Sequence, residues 1–181
     1  MSTRKQPLLM LGDSLIEWGD WPELLPGHNI INRGMAAETV EGLAGRIFLE
    51  IENHDTCDSL LIMSGTNNLL MGDTLFPAIF SSMLARIRLL SPKIEIIVNG
   101  LFPMPAASSK DIIQVNEELA RICQREQCGF IDAQTTFAMH CRPVTHPCFH
   151  SDGVHLTGRG YRTWAKAINT FLQTVSDPDE G

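Results

Sequence analysis

The stretch Leu8-Leu9-Met10-Leu11-Gly12-Asp13-Ser14 decides the fold of this 181-residue chain. Four consecutive apolar residues are followed at once by a glycine, an acid and a serine. A short, continuous apolar run is typical of a strand that is buried on both faces, as in parallel sheets. The sequence therefore predicts a strand whose carboxyl end carries Asp13 and Ser14 to one edge of a sheet.

Further apolar runs of the same kind alternate with helical patterns along the chain. Strands are predicted at residues 8–11, 29–32, 59–63, 94–99 and 130–132. Apolar residues at helical spacing predict helices after Thr39, after a cap at Asp73 or Thr74, over residues 112–122 with Gly129 as the stop signal, and over residues 161–175. This alternation indicates βαβ units, and hence an α/β protein with a three-layer α/β/α sandwich.

Length and charge restrict the function classes. One domain over residues 1–181, with an ordered core at about 6–175, fits a typical domain size of roughly 100–150 residues. The net charge of -7 disfavours nucleic acid and anionic membranes as partners. No apolar run approaches the about 20 residues of a membrane span, so no stable membrane insertion is expected. The apolar run after Arg4 and Lys5 is too short for an export signal, which predicts a cytoplasmic location; the oligomeric state stays open.

The cysteines predict neither a disulfide framework nor a metal centre. Their number is odd and no framework spacing is present: Cys57, Cys123, Cys128, Cys141 and Cys148. Free thiols in a reducing compartment are the favoured interpretation. A zinc site formed by Cys141, His146, Cys148 and His150 is the less favoured alternative, because no C-x-x-C pair accompanies it. We therefore predict that the protein uses no metal and no cofactor.

Polar residues that suit acyl transfer follow several of the predicted strands. They are Ser14 after the first strand, Gly34 after the second, Asn67 after the third, and Asp152 and His155 before the last helix. Ligands of open α/β sheets bind outside the carboxyl ends of the strands. We therefore expect these residues to meet at one edge of the sheet.

This set of residues can perform serine-based ester hydrolysis. A serine hydroxyl is a weak nucleophile and needs an adjacent base, for which a neutral histidine is suited. We predict Ser14 as nucleophile, His155 as base and Asp152 as the group that orients the base. The oxyanion is expected to meet the backbone N–H groups of Ser14 and Gly34 and the side-chain amide of Asn67.

Two alternatives at the base stay open. His150, two residues before Asp152, is the rival to His155, which we prefer because the residues after it begin the final helix. A backbone carbonyl could orient the imidazole in place of Asp152, which would leave a Ser–His dyad.

The chain resembles the GDSL, or SGNH, hydrolase superfamily. The run Gly12-Asp13-Ser14-Leu15, the glycine Gly34, the asparagine Asn67 and the pair Asp152 and His155 match its four sequence blocks in order. The resemblance implies a flavodoxin-like fold with a five-stranded parallel sheet of order 2-1-3-4-5. It also implies metal-independent esterase, lipase, thioesterase or deacetylase activity.

The third block departs from the commonest family pattern, because Asn68 stands where many members carry aspartate. In this respect, and in residues 151–161, the chain looks more like the platelet-activating-factor acetylhydrolase-type members. The departure puts the support of the local turn in doubt and leaves the oxyanion role of Asn67 unchanged.

The leading hypothesis is a two-step hydrolysis of a small-molecule or lipid-like carboxylic ester with a short or medium acyl group. Apolar loop residues could hold the acyl chain: Met35, Leu69, Leu70, Met71, Leu101, Phe102, Met104, Phe137 and Met139. One alternative is a carbohydrate O-deacetylase that uses the same residues. The other is a non-catalytic phosphate or flavin binder, which is disfavoured because the loop after the first strand lacks G-x-G-x-x-G and G-K-[ST].

Overall fold

A computed structural model describes residues 7–141 and 147–176 of the chain. Its strands are β1 (Leu8–Gly12), β2 (Ile30–Gly34), β3 (Ser59–Met63), β4 (Glu95–Asn99) and β5 (Gly129–Ile131). Its helices are α1 (Ser14–Glu17), α2 (Trp21–Leu24), α3 (Val40–Asn53), α4 (Thr66–Leu70), α5 (Pro77–Leu90), α6 (Ser109–Arg125), α7 (Ala133–His140) and α8 (Gly158–Ser176).

The five strands form one sheet in the order β2-β1-β3-β4-β5, and every neighbouring pair is parallel. Helices flank this sheet, so the predicted α/β fold class and strand order are confirmed. The register places Gly12 opposite both Gly34 and Met63. The loops that follow β1, β2 and β3 therefore begin side by side at one edge.

The last helix is held to the sheet by aromatic packing. Trp164 on α8 is fully buried and lies edge-on to Trp21 and Phe102, with ring centroids 5.0 and 4.9 Å away. Its indole N–H donates to Asn99 Oδ1 at 2.8 Å, so the buried indole nitrogen has a hydrogen-bond partner. This anchorage fixes the start of α8, and with it the segment that precedes the helix.

Two predicted helix boundaries are wrong. The helix predicted to begin after Asp73 or Thr74 begins at Pro77, where a proline fits the first turn. Asp73 instead accepts from the N–H of Leu75 in a local turn, and Leu75 is 82% exposed rather than in the core. Gly129 is not the stop of α6, which ends at Arg125; it is the first residue of β5.

The prediction of five free thiols is also wrong. Cys141 and Cys148 form a disulfide, with their Cα atoms 5.9 Å apart, whereas Cys57, Cys123 and Cys128 are free. The bond links the end of α7 to the segment before α8 and occupies both sulfurs that the zinc alternative needed. His146 of that alternative lies outside the described residues. Disulfides are rare in reducing compartments, so the cysteines no longer support the predicted cytoplasmic location. That location stays a prediction.

No helix among residues 7–141 and 147–176 combines the length and the apolar character that a bilayer crossing requires.

Candidate active site

The predicted nucleophile Ser14 lies in the short helix α1, which begins directly after β1. The side chain of Asp13 caps it by accepting from the N–H of Leu15 at 2.9 Å. Ser14 is the first helical residue, so its backbone N–H has no partner within the helix. The strand, the cap and the turn together present the Ser14 side chain at the carboxyl edge of the sheet.

The carbonyl groups at the other end of α1 accept hydrogen bonds from side chains of three other elements: α2, β2 and α8. The Tyr161 hydroxyl donates to the carbonyl of Leu15 at 3.0 Å, and the Trp21 indole donates to that of Ile16 at 2.8 Å. The Asn32 amide donates to Ile16 as well, at 3.1 Å. Carbonyls at a helix end have no internal partner, and these three donors hold the turn in place.

A compact loop before α8 carries the predicted base and acid. The N–H of His150 donates to the carbonyl of His155 at 2.8 Å, and the N–H of Gly153 donates to the carbonyl of His150 at 2.9 Å. Gly153 has a φ of 71°, and a Cβ there would come within 3.0 Å of the Ala106 nitrogen. A glycine is therefore required for the loop to close in this form.

Ser14, His155 and Asp152 form one hydrogen-bonded chain. The Ser14 Oγ lies 3.1 Å from His155 Nε2, and His155 Nδ1 lies 2.7 Å from Asp152 Oδ2. The backbone N–H of Val154, the His155 ring and the His155 N–H hold the pKa of Asp152 well below its usual range. An ionised carboxylate only accepts, so Nδ1 carries the ring proton and Nε2 is free to accept from the serine hydroxyl.

The buried carboxyl group of Asp13 adds negative charge behind this chain. Burial raises the pKa of Asp13 to about 6, against the opposing effects of the Leu15 N–H, of the Thr66 side chain and of the nearby His155. Burial thus opposes the ionised form of Asp13, and the electrostatic contact with His155 favours it.

Asn67, at the start of α4, is bound by the backbone of Glu38, and the side chain of Glu38 is in turn bound by Arg46. Its amide donates to the backbone carbonyl of Glu38 at 2.8 Å, which leaves one N–H of the amide for another acceptor. The Glu38 carboxylate receives two hydrogen bonds from Arg46, at 2.5 and 2.7 Å, and Arg46 also donates to the Arg33 carbonyl at 2.9 Å. Charge-assisted bidentate pairs of this kind are both strong and directional.

The structure speaks against Gly34 as an oxyanion donor. Its backbone N–H already donates to Asn32 Oδ1 at 3.0 Å. A Cβ on Gly34 would come within 2.2 Å of the Glu17 nitrogen, so the glycine is explained by the close approach of β2 to α1. The sequence reasoning chose this residue by its type and its place after a strand, and neither reveals whether an N–H is free.

Ala37 offers the donor that Gly34 does not. The neighbouring N–H groups are taken up by the protein, at Met35, Ala36 and Glu38. The N–H of Ala37 has no acceptor within the described residues, and the residue is exposed with a φ of 60°. A non-glycine residue in this conformation is uncommon, and such residues cluster at functional sites. An alanine carries no sequence signal for it.

Asn68 supports the turn that its departure from the family pattern had put in doubt. It is 2% exposed, and its Oδ1 accepts from the N–H of Val40 at the start of α3 at 2.9 Å. Its amide donates to Glu41 Oε2 and to Asp73 Oδ2, both at 2.9 Å. Two carboxylates therefore meet at one amide, and an aspartate in its place would bring three together.

Asn68→Asp is expected to destabilise the protein by about 3 kcal/mol at pH 7, because two carboxylates lose their donor and a third is buried beside them. The amide of Asn68 is the main reason that the pKa of Glu41 is lowered. A lowered acid pKa contributes stability above the unfolded value, and this contribution is lost as pH falls. The difference between the proteins should therefore shrink below about pH 4.5.

Urea unfolding of both proteins at pH 7 and pH 4 measures this effect, with exposed Asn29→Asp as the matched control. An unchanged free energy of unfolding at pH 7, or a loss equal at both pH values, would contradict it.

Two further histidines make other contacts, and the proposed acyl-chain residues divide between the core and the surface. His28 contacts Asn169 at 3.1 Å, and His54 caps the end of α3. Among the proposed acyl-chain residues, five are buried in the core: Leu69, Leu101, Phe102, Met104 and Phe137. The remaining four are exposed: Met35, Leu70, Met71 and Met139. More than half of the expected apolar patch is therefore part of the hydrophobic core.

A parallel α/β sheet whose edge carries a Ser–His–Asp chain defines the class of α/β serine hydrolases. Over residues 10–163 the chain matches the model of the GDSL-like Lipase/Acylhydrolase family. The chain therefore belongs to that family, and it is a hydrolase of ester bonds, as predicted.

Solved structures with the same fold include several esterases. A lipase/acylhydrolase from Enterococcus faecalis is 19% identical, with a TM-score of 0.74 and coverage of 94% of this chain and 96% of that one. The acetylxylan esterase Axe2 from Geobacillus stearothermophilus, as a catalytic mutant, is 18% identical, with a TM-score of 0.77 and coverage of 92% and 94%. A Streptococcus pneumonia protein, provisionally described as a platelet activating factor, is 18% identical, with a TM-score of 0.78 and coverage of 95% and 86%. Comparison with curated protein sequences gives no match.

Proposed function

We propose that the protein hydrolyses carboxylic esters of short or medium acyl groups through an acyl-enzyme on Ser14. The observation that carries this proposal is the 3.1 Å contact between Ser14 Oγ and His155 Nε2, two atoms whose residues lie 141 positions apart. His155, Asp152 and Ser14 serve as base, orienting acid and nucleophile. His150 is not the base in this scheme, since its described bonds are made by its backbone.

In the first step Ser14 Oγ attacks the ester carbonyl carbon while His155 Nε2 takes the hydroxyl proton. The bond from carbon to the alcohol oxygen then breaks, and His155 returns its proton to the leaving alcohol. In the second step a water molecule attacks the carbonyl carbon of the acyl-enzyme and loses a proton to His155. The bond from that carbon to Ser14 Oγ then breaks, His155 returns the proton to Ser14 Oγ, and the carboxylic acid leaves. Asp152 stabilises the charged ring in both steps.

The negative oxygen of each tetrahedral intermediate is proposed to meet three donors: the backbone N–H of Ser14, the backbone N–H of Ala37 and the amide of Asn67. Gly34, expected from the sequence, is replaced by Ala37 because only the latter has a free N–H. Arg46 and Glu38 act as positioning residues, since they hold the carbonyl to which the Asn67 amide is bound.

The comparisons give independent support for the acid and the base. Two of the similar structures are catalytic mutants of the acetylxylan esterase Axe2, in which an aspartate and a histidine three positions apart are replaced. Asp152 and His155 have the same separation. The similar structures do not favour acetylated carbohydrates over simple esters as substrates. The carbohydrate O-deacetylase alternative uses the same residues and is not better supported than ester hydrolysis.

The test is a series of p-nitrophenyl esters from acetate to dodecanoate, followed by stopped flow. We expect a burst of p-nitrophenolate equal to the enzyme concentration and the highest kcat/KM for acyl chains of about two to six carbons, because the predicted acyl-chain residues are largely buried. Peracetylated xylose is assayed in parallel. Absence of turnover on every ester would refute the proposal, and a preference for the sugar acetate would favour the deacetylase.

A further inference from the structure

Trp18 is a large apolar residue left 56% exposed directly beside the candidate nucleophile. It follows α1, and its N–H donates to the carbonyl of Ser14 at 3.0 Å. Residues four apart on a helix lie on the same face, so Ser14 and Trp18 point to the same side. The indole contacts the His155 ring, with centroids 4.3 Å apart and planes inclined by 26°.

This contact supplies a restraint that the hydrogen bonds of His155 lack. Asp152 and Ser14 contact the two ring nitrogens, whose N–H bond and lone pair are directed within the plane of an imidazole. Such bonds resist sliding of the ring within its plane but resist tilting out of that plane only weakly. The indole covers one face of the ring and opposes the tilt.

The same contact favours the charged ring. The face of an indole is negative and attracts a cation placed over it. His155 is neutral when substrate binds and becomes positive when it takes the serine proton, so the attraction grows on the way to the transition state. An interaction that strengthens in this way raises kcat without tightening substrate binding.

We propose that Trp18 is a positioning residue that holds His155 in plane and stabilises its protonated form during ester hydrolysis. This inference rests on the proposed function, because it acts through the base assigned there. Nothing in the GDSL motif itself requires a tryptophan four residues after the serine, and the residue carried no weight in the sequence reasoning.

The kinetic test compares wild type, Trp18→Leu and Trp18→Phe on p-nitrophenyl acetate. We expect Trp18→Leu to lower kcat and kcat/KM equally, by about 10-fold, with KM unchanged and with most of the activity restored in Trp18→Phe. Exposed Leu89→Ala serves as the matched control for loss of a surface apolar group. Wild-type kcat in Trp18→Leu, or a rise in KM alone, would overturn the proposal; the latter would make Trp18 a substrate contact.

A second readout does not depend on activity. A protonated imidazole in contact with an indole quenches its fluorescence, so at pH 5, below the ordinary histidine pKa of about 6.5, the emission lost in Trp18→Phe should be larger when measured in a His155→Gln background. His28→Gln is the control, because that ring contacts Asn169 instead. Unchanged emission in His155→Gln would show that the indole and the imidazole are not in contact, and it would overturn the inference. Inactive wild type with the expected emission would instead refute the ester hydrolysis and leave the contact standing.

Discussion

Ser14→Ala is expected to lower kcat on p-nitrophenyl esters by about 10⁴- to 10⁶-fold, the largest effect of any single substitution in this protein. The change removes the only hydroxyl that contacts His155 Nε2 among the described residues. The activity that remains in the variant would come from substrate bound beside the oxyanion donors, where a water molecule attacks the ester in place of the Ser14 hydroxyl.

The variant should fold normally, because one oxygen atom is lost and the caps of α1 come from other residues. Steady-state and burst kinetics on the same preparation measure the effect, and a labelled fluorophosphonate should mark the wild type alone. Ser91→Ala, at the end of α5, is the matched control for loss of a hydroxyl. Turnover by Ser14→Ala close to that of wild type would refute the assignment of the nucleophile.

Asp152→Asn is expected to lower kcat by about 10⁴-fold, the second largest effect. Asp152 Oδ1 accepts from the N–H groups of Val154 and His155, at 2.9 and 3.0 Å. An asparagine must keep its oxygen at that position, so its NH₂ group faces His155 Nδ1. The ring then has to accept at Nδ1 and carry its proton on Nε2, where it can no longer take one from Ser14.

This substitution also decides between a triad and the dyad that the sequence left open. If a backbone carbonyl can orient the ring, Asp152→Asn should retain kcat within about 10-fold of wild type. Exposed Asp55→Asn is the matched control for loss of one negative charge, and thermal unfolding of all three proteins separates misfolding from a chemical effect. A loss confined to KM would contradict the orienting role.

The strands were the easiest part of the fold to predict. Runs such as residues 59–63 are apolar throughout because both faces of a parallel strand are buried, and this run matches β3 at both ends. The long helices were found by their periodicity. Four shorter helices were not predicted: α1, α2, α4 and α7. The first three have only four or five residues and α7 has eight, so they display too little of the helical repeat.

Errors arose where a side chain found an unforeseen partner. Asp73 looked like a helix cap and instead joins Glu41 at the amide of Asn68. Cys141 and Cys148 looked like thiols of a reducing compartment and form a disulfide. In each case the residue type was compatible with several environments, and only packing selects among them.

The sequence by itself determined the α/β class and the family, and it predicted that Ser14, Asp152 and His155 meet at one edge of the sheet. It could do so because apolar periodicity and the residues after each strand are local properties of the chain, and parallel strands bring their carboxyl ends together. The tertiary structure alone decided which groups touch: Ala37 rather than Gly34 with a free N–H, and Trp18 against His155. Those relations depend on distances between loops that are remote in sequence, and on which hydrogen bonds the rest of the fold has already used.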